Sequence, residues 1–379
     1  MSTPKPLRVL SIFGTRPEAV KMAPVIQRLA GQPGIESLVC ITAQHREMLD
    51  QVIDLFHLHV DVDLDLMRPN QSLAELTAAI FTHLDPVLER LQPQWVLIQG
   101  DTTTVMSAAL DAFYHHILVG HVEAGLRTFD KWQPFPEEID RRVAGVVADL
   151  HFAPTERSRQ NLLREGVPAE HIALTGNPII DALQQISRLP APTQVVEWLK
   201  EWDVRPGGKQ LVVITAHRRE NFGAPLEHIA HALRRVAERY PERLHMVYPV
   251  HLNPNVQEPV RRILGDVPNM TLLPPQDYLT MIHLMRHATL VLTDSGGIQE
   301  EATGLGIPTL VLREVTERPE GVEAGVLKLV GSDEERIVSE VARLLEEPSE
   351  YERMAHAANP FGDGHAAERI VQALLNFPA

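Results

Sequence analysis

Short apolar runs alternate along the chain with longer stretches of helical periodicity. In the first half, the runs at residues 7–13, 38–42, 95–99 and 117–122 are predicted to be strands, and residues 19–30 carry apolar side chains at helical spacing. A nearly continuous apolar run is typical of a strand covered on both faces. Because strands that alternate with helices indicate βαβ units, we predict a doubly wound α/β domain with a parallel sheet.

The same alternation begins again after a polar, proline-containing stretch at residues 189–208. Five further strands are predicted, at residues 210–215, 245–250, 270–273, 289–293 and 308–312. An amphipathic helix is predicted at residues 366–375 near the end of the chain. We therefore expect two domains, residues 1–180 and 181–361, with residues from about 362 to 379 packing back on the first.

A glycine-rich segment follows the predicted strand at residues 289–293, where the ligands of open α/β sheets bind. Ser295, Gly296 and Gly297 begin a predicted helix, and free amides at a helix N-terminus suit a phosphate. Glu301 lies within reach of a ribose farther along the same helix. The segment matches neither a Walker loop nor the GxGxxG pattern. A glycine turn that only joins a strand to a helix is the alternative.

Positive side chains follow other predicted strands. Arg16 and Lys21 lie at the start of the first helix, where the helix dipole disfavours a cation and an anion would neutralise it. Solvated surface charges explain these two residues equally well. In the second half, His217 and Arg218 follow one strand and His251 follows the next, and guanidinium groups bind phosphate or carboxylate.

Acidic side chains follow two neighbouring strands of the first half. Asp101 and Glu123 each come directly after an apolar run, and Glu137 and Glu138 follow in a predicted loop. Clustered carboxylates raise each other's pKa, which suits general acid and base catalysis. Taken singly, each is explained as a solvated charge or a helix cap, as for Asp101 before three threonines. Their positions after separate strands of one sheet favour a shared site.

Composition narrows the class of protein. Asp and Glu number 50 against 35 Lys and Arg among the 379 residues, so the net charge of −15 disfavours binding to nucleic acid or an anionic membrane. No apolar stretch approaches the roughly 18 residues of a membrane span, and no signal peptide is evident, so we expect a cytoplasmic protein. A single cysteine, Cys40, excludes an intrachain disulfide. No compact ligand spacing indicates a metal site, and none is expected.

Seven segments of the chain resemble the sequence motifs of a known family, and several of them are long and uncommon. They are 13–19 (FGTRPEA), 42–46 (TAQHR), 99–104 (QGDTTT), 121–127 (HVEAGLR), 217–221 (HRREN), 294–297 (DSGG) and 316–320 (TERPE). Together they closely resemble the non-hydrolysing bacterial UDP-N-acetylglucosamine 2-epimerases, in order, over nearly the whole chain. The resemblance implies the GT-B architecture, in which two Rossmann-like doubly wound parallel-sheet domains face a central cleft and the C-terminal one mainly holds the nucleotide.

The resemblance also implies a reaction. UDP-N-acetylglucosamine and UDP-N-acetylmannosamine are interconverted at the second sugar carbon, without a metal, nicotinamide or other cofactor. UDP is eliminated to leave a 2-acetamidoglucal and then adds back, while a proton returns to the other face of the carbon. A homodimer is implied as well, together with supply of UDP-N-acetylmannosamine for cell-surface polysaccharide.

Site residues follow from the same resemblance. Asp101, Glu123 and Glu137 would form the acid/base group, and His217 would assist at the leaving diphosphate. The residues expected to bind substrate are Arg16, Lys21, Gln276, Met281, Ser295, Gly296, Gly297, Glu301 and Arg318. A second UDP-N-acetylglucosamine, bound as an allosteric activator, would contact Gln44, Glu137, Arg218 and His251. Asn70 falls where some relatives carry a basic residue, and Met281 where others have an aromatic one.

Three alternative functions remain open. The hydrolysing 2-epimerases, which release free N-acetylmannosamine and UDP, share the fold and most of the acidic residues, although the matching activator residues favour the non-hydrolysing type. A GT-B glycosyltransferase would need an acceptor cleft and often has membrane-binding features. A nucleotide-sugar binding or regulatory protein would gain nothing from several carboxylates near an anionic ligand.

Overall fold

The computed structural model divides the chain into two compact units. Unit 1 comprises Met1–Ala182 and Phe361–Ala379, and unit 2 comprises Leu183–Pro360. The boundaries predicted from the sequence lie at residues 180 and 361. The residues that the structure describes are 5–42, 46–68 and 71–378.

Unit 1 is built on a seven-stranded parallel sheet. Its strands are β1 (Leu7–Phe13), β2 (Ile35–Ile41), β3 (Val62–Asp63), β4 (Trp95–Gln99), β5 (Leu118–Val122), β6 (Leu150–Ala153) and β7 (Ile172–Leu174). The spatial order is β3-β2-β1-β4-β5-β6-β7, so the chain builds outward on one side of β1 and then on the other. This reversal makes the loops after β1 and β4 neighbours at the carboxyl edge of the sheet, where ligands of such folds bind.

Unit 2 repeats the architecture with six parallel strands. They are β8 (Gln210–Thr215), β9 (Leu244–Pro249), β10 (Met270–Leu273), β11 (Ala288–Thr293), β12 (Thr309–Val311) and β13 (Leu327–Leu329). The order β10-β9-β8-β11-β12-β13 makes β8 and β11 neighbours across the switch point. The predicted α/β class with two doubly wound parallel sheets is therefore confirmed.

Helices connect the strands of both units. They are α1 (Arg16–Ala30), α2 (Arg46–Leu55), α3 (Leu73–Leu91), α4 (Thr103–Tyr114), α5 (Glu137–Val147), α6 (Glu156–Arg164), α7 (Pro178–Ile186), α8 (Thr193–Glu201), α9 (Ala224–Arg239), α10 (Pro254–Leu264), α11 (Tyr278–Arg286), α12 (Gly296–Gly304), α13 (Pro319–Glu323), α14 (Glu334–Glu346), α15 (Pro348–Ala355) and α16 (Ala366–Asn376). Within the described ranges, none of these helices combines the length and apolar character needed to cross a lipid bilayer.

Local sequence signals explain where the helices near the site begin. Thr15 and Glu18 form a capping box at α1, and Pro17 lies in its first turn. Thr102, not Asp101, is the N-cap residue of α4, and its hydroxyl accepts from Val105 N. The helix-cap explanation for Asp101 is therefore wrong, and its carboxylate is available to other partners.

The C-terminal segment packs on unit 1. Helix α16 contacts α1 and β7, and the ring of Phe377 meets Trp95 of β4 edge-on at 5.2 Å. Asp181 of α7 caps α16, because its carboxylate accepts from the backbone N–H of Ala366 at 3.1 Å and of Ala367 at 2.9 Å. One buried side chain thus satisfies two amides that an α-helix leaves without partners.

Replacing Asp181 with Ala is expected to lower the free energy of unfolding by about 1–2 kcal/mol, since two buried amides lose their acceptor. Urea denaturation followed by circular dichroism measures the change. Glu368→Ala is the control, because it removes an exposed carboxylate from the first turn of the same helix. Equal losses of stability in the two variants would contradict the capping role.

Candidate active site

Glu123 is a buried carboxylate of unit 1 that several donors hold in place. It follows β5, is only 6% exposed, and adopts the left-handed backbone conformation (φ 63°) that non-glycine residues rarely take. Lys21 Nζ donates to both of its oxygens, at 2.7 and 2.6 Å. Gln99 Nε2 donates to Oε2, and Asn177 Nδ2 donates to Oε1 at 2.9 Å. One ammonium and two amides therefore hold the side chain in a single orientation and complement an ionised carboxylate.

The structure places Lys21 on Glu123. Helix α1 carries this lysine in its second turn, and the ammonium is almost fully buried against the carboxylate. Arg16, the first residue of the same helix, is half-buried. The binding of a diphosphate by Arg16 and Lys21 stays a prediction, and any such role of Lys21 would be shared with its bond to Glu123.

Asp101 lies beside Glu123 at the same edge of the sheet. A Cβ placed on Gly100, the residue before it, would lie 3.9 Å from Glu123 Oε2. Arg141 of α5 reaches back to Asp101, because its Nη2 donates to Oδ2, while its Nη1 donates to Glu138 at 3.2 Å. The Asp101 side chain keeps 30% of its surface exposed. The structure therefore brings together two of the predicted carboxylates and gives each a cation.

Glu137 begins helix α5, so the loop predicted for Glu137 and Glu138 is wrong. The first turn of α5 carries Glu137, Glu138 and Asp140, and acidic residues there are stabilised by the helix dipole. Glu138 is fully buried and accepts from the backbone N–H groups of Thr128 and Phe129, both at 3.1 Å. Glu137 is half-buried. The helix directs this acidic turn and Arg141 toward Asp101.

Two buried side chains tie the Asp101 turn to its neighbours. Burial lowers the pKa of His121 to about 4, so the ring is neutral and its Nε2–H donates to the carbonyl of Gly100 at 2.7 Å. Glu18 accepts from Thr102 Oγ1 at 2.7 Å and from the backbone N–H of Thr15 at 2.7 Å. The turns after β1 and β4 are therefore joined, which sets the position of Asp101.

In unit 2, Asp294 organises the residues predicted to meet a diphosphate. It follows β11 and is fully buried, and its Oδ2 accepts from the backbone N–H of His217 at 2.7 Å and of Arg218 at 2.8 Å. Asn221 Nδ2 donates to the same oxygen at 3.0 Å. The His217 turn after β8 is thus held against the glycine loop after β11, as their adjacency in the sheet allows.

His217 and His251 are brought together. Their rings stack with centroids 5.3 Å apart and planes 8° from parallel. Arg218 follows directly, so three of the predicted residues lie on one side of the carboxyl edge of β8 and β9. Gln44 and Asn70 lie outside the described residues, and Glu137 belongs to unit 1. The activator site stays a prediction.

The N-terminus of α12 faces a guanidinium group. A Cβ on Gly296 would lie 2.5 Å from Arg318 Nη1, so only glycine allows this approach. Arg318 is buried, and its Nε donates to Glu300 Oε1 at 2.8 Å. A Cβ on Gly297 would meet no heavy atom within 4 Å in the described part of the chain. Helix amides and an arginine together form an arrangement suited to a phosphate.

The remaining predicted residues of unit 2 lie at helix α12 and in the segment that follows β10. Ser295 is the N-cap residue of α12, although among the described residues its hydroxyl makes no capping bond. Glu301 is buried in the same helix. Gln276 lies in the connection after β10, where its Nε2 donates to Pro274 O at 2.7 Å, and Met281 is buried on α11. Strand β10 is three positions from β11, about 14 Å at the usual spacing of neighbouring strands.

Sequence reasoning missed four residues that hold the site. Gln99 was visible as a polar side chain ending an otherwise apolar buried strand, and Asp294 as a carboxylate directly after another. Asn177 follows β7, a three-residue strand without a clear pattern. Nothing in the sequence indicated a role for Arg141, because the start of its helix, Glu137 and Glu138, was predicted as a loop.

Comparisons with known proteins agree with this geometry. A family model described as UDP-N-acetylglucosamine 2-epimerase matches residues 27–375. A Salmonella typhimurium protein named UDP-N-acetylglucosamine 2-epimerase is 52% identical over 373 residues, covering 98% of this chain and 99% of the relative. The UDP-GlcNAc 2-epimerase of Neisseria meningitidis, solved with UDP-GlcNAc, matches with a TM-score of 0.92 at 48% identity, covering 98% of this chain and all of that one. S. aureus MnaA, solved with UDP, matches with a TM-score of 0.89 at 43% identity, covering 97% and 95%.

The resemblance of the seven segments to UDP-N-acetylglucosamine 2-epimerases is therefore confirmed across nearly the full length. The sequence identities of these relatives and solved structures, 43% to 52% over nearly the full length, show a shared family and not only a shared fold. This chain belongs to the UDP-N-acetylglucosamine 2-epimerase family.

Proposed function

We propose that this protein interconverts UDP-N-acetylglucosamine and UDP-N-acetylmannosamine by the non-hydrolysing route, eliminating UDP and adding it back. The observation that carries the proposal is the pairing of Glu123 and Asp101 at adjacent strand ends, each held by a cation. Relatives named as 2-epimerases, and a related structure bound to UDP-GlcNAc, support the substrate.

The chemistry explains why several carboxylates are needed. The proton on the second sugar carbon is not acidic in the intact substrate. It becomes acidic as the bond to UDP breaks and positive charge develops at the neighbouring anomeric carbon. Removing it from one face and returning it on the other requires two protonic groups, since one group does not reach both faces. Asp101, Glu123 and Glu137 are the candidates for this work.

Unit 2 suits the leaving group. The amides at the start of α12, the Ser295 hydroxyl and Arg318 would stabilise the diphosphate, and His217 would assist as the bond to the sugar breaks. Glu301 would contact the ribose. Gln276 and Met281, some three strands from the phosphate loop, would contact the uracil end of an extended nucleotide.

The non-hydrolysing route differs from hydrolysis in the fate of the glucal intermediate. UDP and the glucal must both stay bound long enough to recombine, so retention of UDP is essential. The rings of His217 and His251 stack, and Arg218 is the next residue after His217. This grouping supports the proposed activator site, which in turn favours the non-hydrolysing route. Activation by a second UDP-N-acetylglucosamine, a homodimer and supply of surface polysaccharide belong to the same proposal.

Incubation with UDP-N-acetylglucosamine in deuterated water, followed by proton NMR, tests the reaction. We expect UDP-N-acetylmannosamine to appear, with deuterium at the second sugar carbon, because the proton exchanges during elimination and return. Free N-acetylmannosamine with UDP would instead indicate hydrolysis. An unchanged and undeuterated substrate would contradict the epimerase proposal and favour a transferase or a binding protein.

Asp101→Asn is expected to lower kcat by about 100-fold or more, because the amide does not exchange the proton that the carboxylate handles. UDP affinity, measured by calorimetry, is expected to stay the same or to increase. Asp85→Asn, which removes an exposed carboxylate on α3, is the control and should leave both values unchanged. Unaltered turnover in Asp101→Asn would remove this residue from the acid/base group.

Gly297→Ala is expected to weaken UDP binding about tenfold or more. The added methyl group would occupy the space in which the phosphate is proposed to bind and would block the helix amides. The melting temperature should not fall, since the methyl group meets no heavy atom within 4 Å in the described ranges. Gly31→Ala, at the end of α1, is the matched control for UDP binding. Undiminished affinity in Gly297→Ala would place the phosphate elsewhere.

A further inference from the structure

Asp140 is a further carboxyl group at the acidic edge of unit 1, and the proposed reaction gives it no role. It lies in the first turn of α5, one residue before Arg141, and is only 4% exposed. Thr103 Oγ1, from the first residue of α4, donates to its Oδ2 at 3.3 Å. Asp140 therefore lies at the contact between α4, which Asp101 precedes, and α5, which begins at Glu137.

The charges around Asp140 are mostly negative. The titratable groups facing this region are Glu137, Glu138 and Arg141 on α5, Asp101 before α4, and His121 on β5. Arg141 directs its guanidinium to Asp101 and Glu138, and His121 is neutral near pH 7. An ionised Asp140 would thus add a further negative charge beside Glu137 and Asp101.

Burial raises the pKa of Asp140 to about 7. The hydrogen bond from Thr103 lowers the pKa, and the charges of Glu137 and Asp101 raise it further. Near neutral pH this carboxyl group is therefore distributed between its neutral and ionised forms. An aspartate otherwise ionises near pH 4, so this group titrates within the range where enzymes of the cytoplasm work.

We propose that Asp140 is a charge-tuning residue of the epimerase site, which holds a proton beside Asp101 and Glu137 and so sets how readily those two exchange theirs. It acts through its neighbours and not on the sugar. The inference rests on the proposed function only for its effect on turnover, because the titration of Asp140 is a property of the folded chain alone.

The rate of Asp140→Asn relative to the unaltered protein, measured from pH 5.5 to 8.5, tests the proposal. Asparagine has the shape of a protonated aspartate and no charge. The two kcat values should therefore agree within about twofold at pH 5.5 and differ by about threefold or more at pH 8.5, with the ratio changing around pH 7. A ratio that is constant across this range, whatever its value, would overturn the proposal.

Two further variants separate tuning from a structural effect. Asp111→Asn removes another buried carboxyl, on α4, whose pKa burial raises to about 6, but Asp111 lies two turns away from Thr103 along the helix. Its kcat ratio should stay flat with pH. Thr103→Val removes the hydroxyl that lowers the pKa of Asp140, so the inflection near pH 7 should move to higher pH. Thr103→Val retains Asp140, so its own kcat can be compared with that of the unaltered protein across the pH range. A step near pH 7 that does not move to higher pH in Thr103→Val would overturn the proposal even if Asp140→Asn does not fold.

A measurement without substrate distinguishes failure of this inference from failure of the proposed function. A folded-state pKa above the unfolded value favours the protonated native form, so the stability Asp140 contributes is complete below about pH 4 and is lost as pH rises through 7. Asp140→Asn should therefore gain stability over the unaltered protein between pH 5 and 8 in urea denaturation. That gain without epimerase activity would reject the function and keep the titration, whereas an unchanged difference in stability would reject the titration.

Discussion

The buried ion pair of Lys21 and Glu123 is the interaction on which unit 1 most depends. Taking both charges out of water is costly, and the pair is stable only because two amides complete the hydrogen bonding of the carboxylate. Those amides come from the ends of β4 and β7, while the lysine comes from α1. One carboxylate thus joins a helix and three strand ends, at the edge of the sheet that carries the candidate acid/base residues.

The same principle governs the other acidic groups. Asp101 has Arg141, Glu138 has Arg141 and two backbone amides, and Glu18 has backbone amides and a threonine hydroxyl. Each negative charge is therefore placed where a donor already exists, which lets several carboxylates approach without unfolding the edge of the sheet. Asp140 differs from them, because a single hydroxyl donates to it in the described part of the chain, and its proton supplies the missing neutralisation.

The fold and the outline of the site followed from the sequence, since both depend on local patterns. Apolar runs predicted β1, β4, β8 and β10 with their observed bounds, and candidate residues directly after the strands lie at the carboxyl edges of the two sheets. Strands β3 and β7, of two and three residues, do not lie within a longer apolar run and therefore gave no signal. The partners Arg141 and Asn177 come from elements distant in the sequence, and such pairings arise only when the chain folds. The pairing of Lys21 with Glu123 is one such contact, and nothing in the sequence indicated it.

The two units balance charge in opposite ways. In unit 1 cations and amides neutralise carboxylates, whereas in unit 2 carboxylates hold arginines near the glycine loop, as Glu300 holds Arg318 and Glu317 holds Arg313. An arginine already paired gives less binding energy to a phosphate than a free one, because the anion must compete with the carboxylate. Such competition suits the proposed reaction, in which UDP leaves the sugar, stays bound and then adds back. A site that bound UDP as tightly as possible would stabilise the eliminated state and slow the return step.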